Sequence, residues 1–536
     1  MLELYKDFIG DYWRQYEKNI YKLNIIATVS FIYKGEIILE QKYKFKFSKD
    51  VILWCLIIVA GLVYLALGIN REALWYDESY SAAIIKHSIP QICSIAGSDS
   101  HPPLYFILLK LFTCVFGRGE VGVRLFSVLG VLAISALGAG PVKRIFDKKT
   151  GIVYSLLAII VPINLSMAQE ARMYTWASFI VAACGFYGYL AVAEGKRKDW
   201  IRFGVCACLA AYTHYYALLA ATIINLLILL AILVKKRQLI KVYIITAAIA
   251  ALCYLPWVYF LAKQVAKVSK DFWISPVTID TIKSTLIYLF GNKFNSPTLI
   301  SWICMYLFLA LIIWGIVRSK VKGYKESNMA IMAIAVYILT IAAGIAASYL
   351  VRPVFVERYS VPVIGILLAA VAYGISLLNK KAVIIAVCAV IMGLSVPQII
   401  DMESKRFNGP MFEVREYMKQ NIGKDDIFIH TDEHTFGTFC YYFPDHKQYL
   451  YLEQGFNGYS GYGAFAPIGS SGSDFSGFVK GNKNIWLVTR SYSYGENINA
   501  SLLGSGTLNS TGTSQDFSLP YSWYGVKLEK VTAGTN

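Results

Sequence analysis

The run VILWCLIIVAGLVYLALGI, residues 51–69, contains no charged side chain, and comparable runs recur along the chain between short clusters of Lys and Arg. An α-helix rises about 1.5 Å per residue, so roughly 18 or more apolar residues in succession carry the chain across a hydrocarbon core about 30 Å thick. Water is absent from that core, so such runs must satisfy their own backbone as helices. Composition agrees, with 56% hydrophobic residues, 16% charged residues and a mean hydropathy of +0.50, outside the range of a soluble domain. The expected fold class is a polytopic α-helical membrane protein.

A net charge of +17 would suggest nucleic acid in a soluble protein. Here the basic residues sit in short loops between apolar runs, which is the pattern of membrane orientation and gives no reason to expect a nucleic-acid partner. Seven cysteines (Cys55, Cys184, Cys206, Cys208, Cys253, Cys304 and Cys388) lie within apolar runs, where packing is their expected role, and no CxxC pair suggests a metal site. Cys440 is the single cysteine of the hydrophilic tail, so that tail has no internal disulfide.

The clusters PVKRIFDKK (141–149), EGKRKDWIR (194–202), KKRQLIK (235–241), RSKVKGYK (318–325) and NKK (379–381) should all face the cytoplasm. With residues 1–50 as a cytoplasmic extension and 51–69 as the first span, one crossing, 123–140, must separate that span from the first basic loop. PPLYFILLKLFTCVFG (102–117) therefore cannot cross, and is expected to lie along the outer surface as an amphipathic or re-entrant helix. Further spans follow at 152–168, 174–193, 203–213, 217–234, 242–261, 298–317, 329–350, 360–378 and 382–400, about eleven in all. Residues 51–400 form the membrane domain, and 401–536 an extracytoplasmic α/β domain. In that domain GPMFEVREYMKQN has helical spacing, DIFIHT, QYLYLE, NIWLVTR and GVKLEKV have strand character, and residues 455–478, rich in Gly, Ser and aromatics, are expected to be one long loop.

This topology sends four polar stretches to the outer face: Asp77 and Glu78 with His101, AQEARMY (168–174), THYY (213–216) and RPVFVERYS (352–360). A carboxylate such as Asp77, its solvation limited by aromatics and lipid, can act as a general base on an acceptor hydroxyl. Glu170 could orient a sugar or share a divalent cation with Asp77, and Arg172 could hold an anionic leaving group. Arg358 suits a phosphate at headgroup depth because its fork binds oxygens bidentately and stays charged. His101 and His214 could donate to phosphate or sugar. Each has a plainer reading: a solvated acidic pair, an interfacial ion pair, an arginine snorkelling to headgroups, a satisfied histidine. Their meeting on one face favours a single pocket for group transfer from a lipid-linked phosphate donor.

Together, the Asp-Glu pair after the first span, HPPLYFILLKLFTCVFGRGEVGVRLFSVLG, SMAQEARMYTWASF, AYTHYYALL and FVERYSVPVIGILLA resemble the bacterial branch of the dolichyl-phosphate-mannose protein mannosyltransferase and aminoarabinose transferase superfamily (glycosyltransferase families 39 and 83). The resemblance covers about residues 50–375, in order along the chain. It implies the GT-C fold, juxtamembrane helices in the first outer loop, a polyprenyl-phosphate-linked sugar donor and inverting hexosyl or pentosyl transfer to an extracytoplasmic glycan, lipid or protein. By resemblance Asp77 matches the catalytic base, with Glu78 and Glu170 as further catalytic candidates. His101, Arg172, Arg358 and Tyr359 fall near the donor phosphate, and Tyr76, Tyr105, Tyr174, His214 and Tyr215 are the expected substrate contacts. A divalent cation on Asp77 and Glu170 is the one cofactor left open, since metal use differs among relatives. Met173 stands where relatives often carry proline, and the N-terminal extension is unusual. Two rival classes are a secondary transporter or lipid flippase, whose Gly or Pro breaks at the midplane of repeated halves are not seen here, and a non-catalytic membrane subunit.

Overall fold

The computed structural model describes residues 32–33, 36–37, 48–70, 73–269, 274–290, 299–378, 380–397, 399–400, 410–453, 460–480, 484–491, 493–517 and 525–534. Before Ala60 these comprise a short antiparallel pairing of Ile32–Tyr33 with Glu36–Ile37 and the start of the first apolar helix. The rest of the expected 1–50 extension lies outside the described residues.

The helices are α1 (Lys49–Ala66), α2 (Tyr76–Ile84), α3 (Ile89–Ser98), α4 (Leu104–Phe116), α5 (Glu120–Ala136), α6 (Lys148–Ile160), α7 (Pro162–Ala168), α8 (Tyr174–Glu194), α9 (Arg197–Thr213), α10 (Tyr215–Lys235) and α11 (Ile240–Val268). There follow α12 (Ile279–Ile287), α13 (Leu299–Val321), α14 (Ser327–Leu350), α15 (Ile364–Ser376, preceded by a 3₁₀ turn at Glu357–Val363) and α16 (Lys381–Gly393). Among the described residues, eight helices are long and apolar enough to cross a membrane, or nine if α6 and α7 are one bent span. The protein is thus a multi-pass membrane protein. Two expected spans fall short of that measure: the 203–213 run lies in α9, whose first turns carry Arg197, Lys198, Asp199 and Arg202, and in the 382–400 run the 13-residue α16 is followed by a turn and further helical residues at 396–397 and 399–400.

Proline sets two of the breaks that matter. Val161, forced out of helical geometry before Pro162, is extended (ψ 132°), and the α6–α7 pair bends by 59° there. The bend ends in the turn that carries Glu170 and Arg172. At the other break Pro362 cannot donate to a helical ladder, and the chain enters α15 through a 3₁₀ turn that begins with Glu357, Arg358 and Tyr359.

At one end of the bundle the basic loops meet. Arg144 donates to Glu194 at 2.8 Å and to Asp199, and Lys149 donates to the Ser376 carbonyl. The helices α5 and α8 run from there to the opposite end, where α2, α3 and α4 sit. Helix α4 is too short to cross, about 20 Å at its helical rise. It buries Tyr105, Phe106 and Leu109, exposes Leu111, Val115 and Phe116, and anchors Lys110 on the Ile85 carbonyl at 3.0 Å.

The tail is a six-stranded mixed sheet of β1 (Ile427–His430), β2 (Gln448–Tyr451), β3 (Gly469–Gly472), β4 (Ile485–Arg490), β5 (Leu508–Asp516) and β6 (Val526–Ala533), in the order β3-β2-β1-β4-β6-β5. Strands β3 to β4 in that order are parallel, and β6 and β5 are antiparallel. Helices α17 (Pro410–Asn421), α18 (Glu433–Tyr442) and α19 (Gly495–Gly504) accompany it. The expected loop at 455–478 is corrected in part: it contains a 3₁₀ turn at Ser460–Phe465, strand β3 and a short helix at Ser476–Val479. Strand β3, GSSG, has no apolar alternation, so its pairing with β2 is what makes it a strand.

One apolar core runs from the first loop into this domain: Leu74, Tyr80, Ile84, Tyr105, Phe106 and Trp257 share it with Phe436, Cys440 and Phe465. Helix α18 lies on α2, and the contact requires glycine at Gly437, where a Cβ would come within 2.6 Å of the Tyr76 ring. The Tyr442 hydroxyl completes the junction, donating to Glu120 at 2.5 Å and accepting from the Leu74 amide at 2.8 Å.

Candidate active site

Helix α2 opens directly after extended Trp75, so Asp77 and Glu78 both fall in its first turn, where the helix dipole favours acids. Neighbouring residues on a helix point about 100° apart, so the two carboxylates meet different surroundings. Glu78 turns inward: Arg124 of α5 grips it through two hydrogen bonds of 2.6 and 2.8 Å, and the Ala171 amide donates to it at 2.9 Å. Both partners of this ion pair are almost wholly buried. Glu78, expected among the catalytic groups, therefore lies away from the cavity and fastens the turn that carries Arg172.

Asp77 lines a polar cavity of about 610 Å³, within the ~300–1,000 Å³ usual for small-molecule sites. One of its carboxylate oxygens lies 3.3 Å from Arg358 and 3.8 Å from Arg172. Burial by itself would raise the Asp77 carboxyl, but Arg172 and Arg358 outweigh it and hold it below the usual carboxylate range. Arg172 also reaches the Asp77 carbonyl at 3.4 Å and His101 Nε2 at 2.9 Å. Guanidinium groups only donate, so His101 Nε2 accepts there, and its Nδ1, 3.1 Å from Asp99, carries the hydrogen. Burial works against ionised Asp99 too, but the hydrogen bond from His101 holds its carboxyl below the usual range.

A second, almost wholly apolar cavity of about 440 Å³ adjoins the first, walled by Leu218, Leu261, Val265, Ala343 and neighbours from α10, α11 and α14. The two share Ser100, His101 and Tyr359. Tyr359 stands between them, its ring 4.9 Å from Tyr216 and 5.4 Å from His214. His214 caps α10 by accepting from the Tyr216 amide at 3.1 Å, so its hydrogen is on Nε2, and burial with the charges of Arg172 and Arg358 keeps it neutral, well below the usual histidine range.

Of the residues expected from sequence, Tyr76, Asp77, His101, Arg172, Arg358 and Tyr359 line the polar cavity, and His214 and Tyr215 line the apolar one. Tyr174 packs against His214 at 5.5 Å, and Tyr105 is a core residue between Phe106 and Phe126; neither lines either cavity. Glu170 is buried on the turn behind, within electrostatic reach of Arg358 and Tyr288. Two guanidiniums flank Asp77, Glu170 sits on the turn behind, and no cluster of three or more His, Cys, Asp or Glu suited to a metal occurs among the described residues. Sequence reasoning missed Asp99, which sets His101, and the wall that the C-terminal domain supplies through Glu433, His434 and Gly461. Asp99 stands two residues before His101 and was legible; the distant wall had no local signal.

Residues 100–260 match a family model described as dolichyl-phosphate-mannose-protein mannosyltransferase. Among curated proteins none matches the chain by sequence. Among solved structures it is similar to ArnT from Cupriavidus metallidurans in the apo state, with a TM-score of 0.64 and 12% identity over 90% of this chain and 98% of that one. The same protein bound to undecaprenyl phosphate gives a TM-score of 0.60 at 13% identity over the same shares. This likeness establishes the fold over nearly the whole chain: a GT-C membrane domain followed by a small mixed-sheet domain.

Proposed function

We propose that this protein is a glycosyltransferase that moves a sugar from a polyprenyl-phosphate-linked donor to an acceptor hydroxyl, with inversion at the anomeric carbon, on the face that loop charge assigns to the cell exterior. On that reading the N-terminus is cytoplasmic and the C-terminal domain extracytoplasmic. The observation that carries it is the meeting of an apolar cavity and a charged one at Ser100, His101 and Tyr359. A prenyl chain suits the first, and a phosphate at the junction suits Arg172, Arg358 and His101. The ArnT structure with undecaprenyl phosphate supports this class of donor.

The acceptor oxygen attacks the anomeric carbon as the bond from that carbon to the phosphate oxygen breaks. The acceptor proton passes to Asp77, and Arg172 and Arg358 stabilise the charge gathering on the departing polyprenyl phosphate. A resting Asp77 pinned by two arginines is a weak base. A bound phosphate competes for those guanidiniums, relieves their pull and raises the affinity of Asp77 for a proton, so donor binding activates the base. The test is mass spectrometry of cell-envelope glycans from a null strain expressing wild type or Asp77→Asn. Wild type restores a sugar that the null lacks and D77N does not; full restoration by D77N would sink the base assignment.

A further inference from the structure

The C-terminal domain reaches the polar cavity through the first residues of α18. Glu433 and His434 line the wall facing Tyr76, Tyr80 and Asp99, and His434 lies 5.4 Å from the Tyr76 ring. At Gly461 the backbone of the same domain comes so close that a Cβ would sit 3.2 Å from Tyr80 and 3.4 Å from Asp99. The cavity thus closes only when this domain is in place.

The carboxylates there are not equivalent. Asp77 is held by arginines and Asp99 by His101. Among the described residues Glu433 receives one hydrogen bond, from the Tyr462 hydroxyl to Oε2 at 3.0 Å, which leaves Oε1 with acceptor capacity there. The same cavity is lined by the aromatic side chains of Trp75, Tyr76, Tyr80 and Tyr288. Aromatic faces beside a carboxylate with acceptor capacity to spare match a polyhydroxyl ring, whose C–H face stacks while adjacent hydroxyls donate. Burial lifts the Glu433 carboxyl above the usual range, against the pull of His434 and Tyr462, so donors reaching it would meet little competing water.

We propose that Glu433 is a recognition residue for ring hydroxyls of a carbohydrate, so that the C-terminal domain forms part of the active site. The inference rests on the glycosyltransferase reading above. The ring is either the sugar being transferred or a sugar of the acceptor, and one experiment separates them. Full-length Glu433→Gln and Glu433→Ala are expressed in the null strain, and envelope glycans are measured by mass spectrometry. Transfer should fall about tenfold to a hundredfold, the range for losing a hydrogen bond to a charged group, with the thermal midpoint of the purified protein and its binding of undecaprenyl phosphate unchanged. Lipid extracted from purified D77N and D77N/E433Q then locates the ring. Loss of sugar-bearing lipid from the double variant places Glu433 on the transferred sugar; its retention places Glu433 on the acceptor. Wild-type transfer by both variants, or loss of transfer only in step with the thermal midpoint, would overturn the inference. Should wild type itself restore no sugar, the function fails first and takes the inference with it.

Discussion

Replacing Glu78 by Gln tests whether this acid is structural, as its burial against Arg124 implies, or belongs with the catalytic groups proposed above. Arg124 donates to Glu78 at 2.6 and 2.8 Å and to the carbonyls of Ile69 and Ala73 at 2.9 and 3.3 Å, with almost no water in reach. Breaking a buried ion pair on one side costs about 3–5 kcal/mol, because the surviving charge keeps its desolvation penalty without its partner. Gln can still accept from the Ala171 amide and Arg124 keeps its carbonyls, which places E78Q near the lower end, about 3 kcal/mol. Thermal unfolding of the detergent-solubilised protein, followed by intrinsic fluorescence, should show a fall of about 3 °C. Removing both charges in E78Q/R124M should recover more than half of that fall, since replacing a whole buried pair by apolar volume is often neutral. Transfer should follow stability, being reduced in E78Q as the Arg172 turn loosens and regained in the double variant. An E78Q protein with an unchanged midpoint and transfer down more than about a hundredfold would refute this and return Glu78 to the catalytic groups.

Three further outcomes follow from the same geometry. Asp77 is held below the usual carboxylate range in the free enzyme, so kcat/KM for transfer in proteoliposomes, which reports the free enzyme, should fall only at pH below that range; in Arg358→Gln, with one cation gone, this acid limb should move upward, and an unmoved limb would count against Asp77 as the titrating group. Asp99→Asn weakens the hold on His101 Nδ1 and should lower undecaprenyl phosphate affinity about threefold to tenfold in a binding titration, with the thermal midpoint kept. Tyr442→Phe removes the hydroxyl that joins Glu120 to the Leu74 amide and should cost about 1–3 kcal/mol, read as faster proteolysis between the two domains; an unchanged cleavage rate would show that the apolar core alone holds them.

What was legible in the sequence is what local chemistry determines. Apolar runs gave the membrane helices, and loop charge with parity kept 102–117 from being a span, in line with its 13-residue helix. The polar turns found by that argument converge in fact: Asp77, His101, Arg172 and Arg358 lie within one connected set of contacts, though residues 77 and 358 are far apart along the chain. Less legible was anything decided by direction or by distant pairing. Asp77 and Glu78 are identical in context as letters, and only the helical turn between them, with Arg124 waiting on one side, assigns one to the cavity and one to the core. Strand β5, LNSTGTSQD, is polar along most of its length because it is an edge exposed to solvent, with Gly512 at positive φ and a break in register between Ser510 and Ser514. A run without apolar alternation gives periodicity nothing to detect.

The arrangement also suggests why chemistry should wait for its donor. At rest the cavity holds Asp77 between Arg172 and Arg358, and Arg172 additionally against His101, so its charges satisfy one another and the site is stable without ligand. On the mechanism proposed above that satisfaction is also inhibition, because a base held by two cations takes up a proton poorly. An anion at the junction of the two cavities breaks the stalemate by recruiting the arginines, whereas a neutral sugar or bare alcohol cannot. An acceptor, or water, entering first would find no competent base. On that mechanism charge pairing would limit wasteful hydrolysis of the donor. The expected signature is ordered: undecaprenyl phosphate alone should raise the pH at which Asp77 titrates, measured as the acid limb of its reaction with a carboxyl-directed carbodiimide, and Arg172→Gln should abolish that shift while leaving Asp77 reactive. A limb unmoved by the lipid in wild type would show that base activation comes from elsewhere.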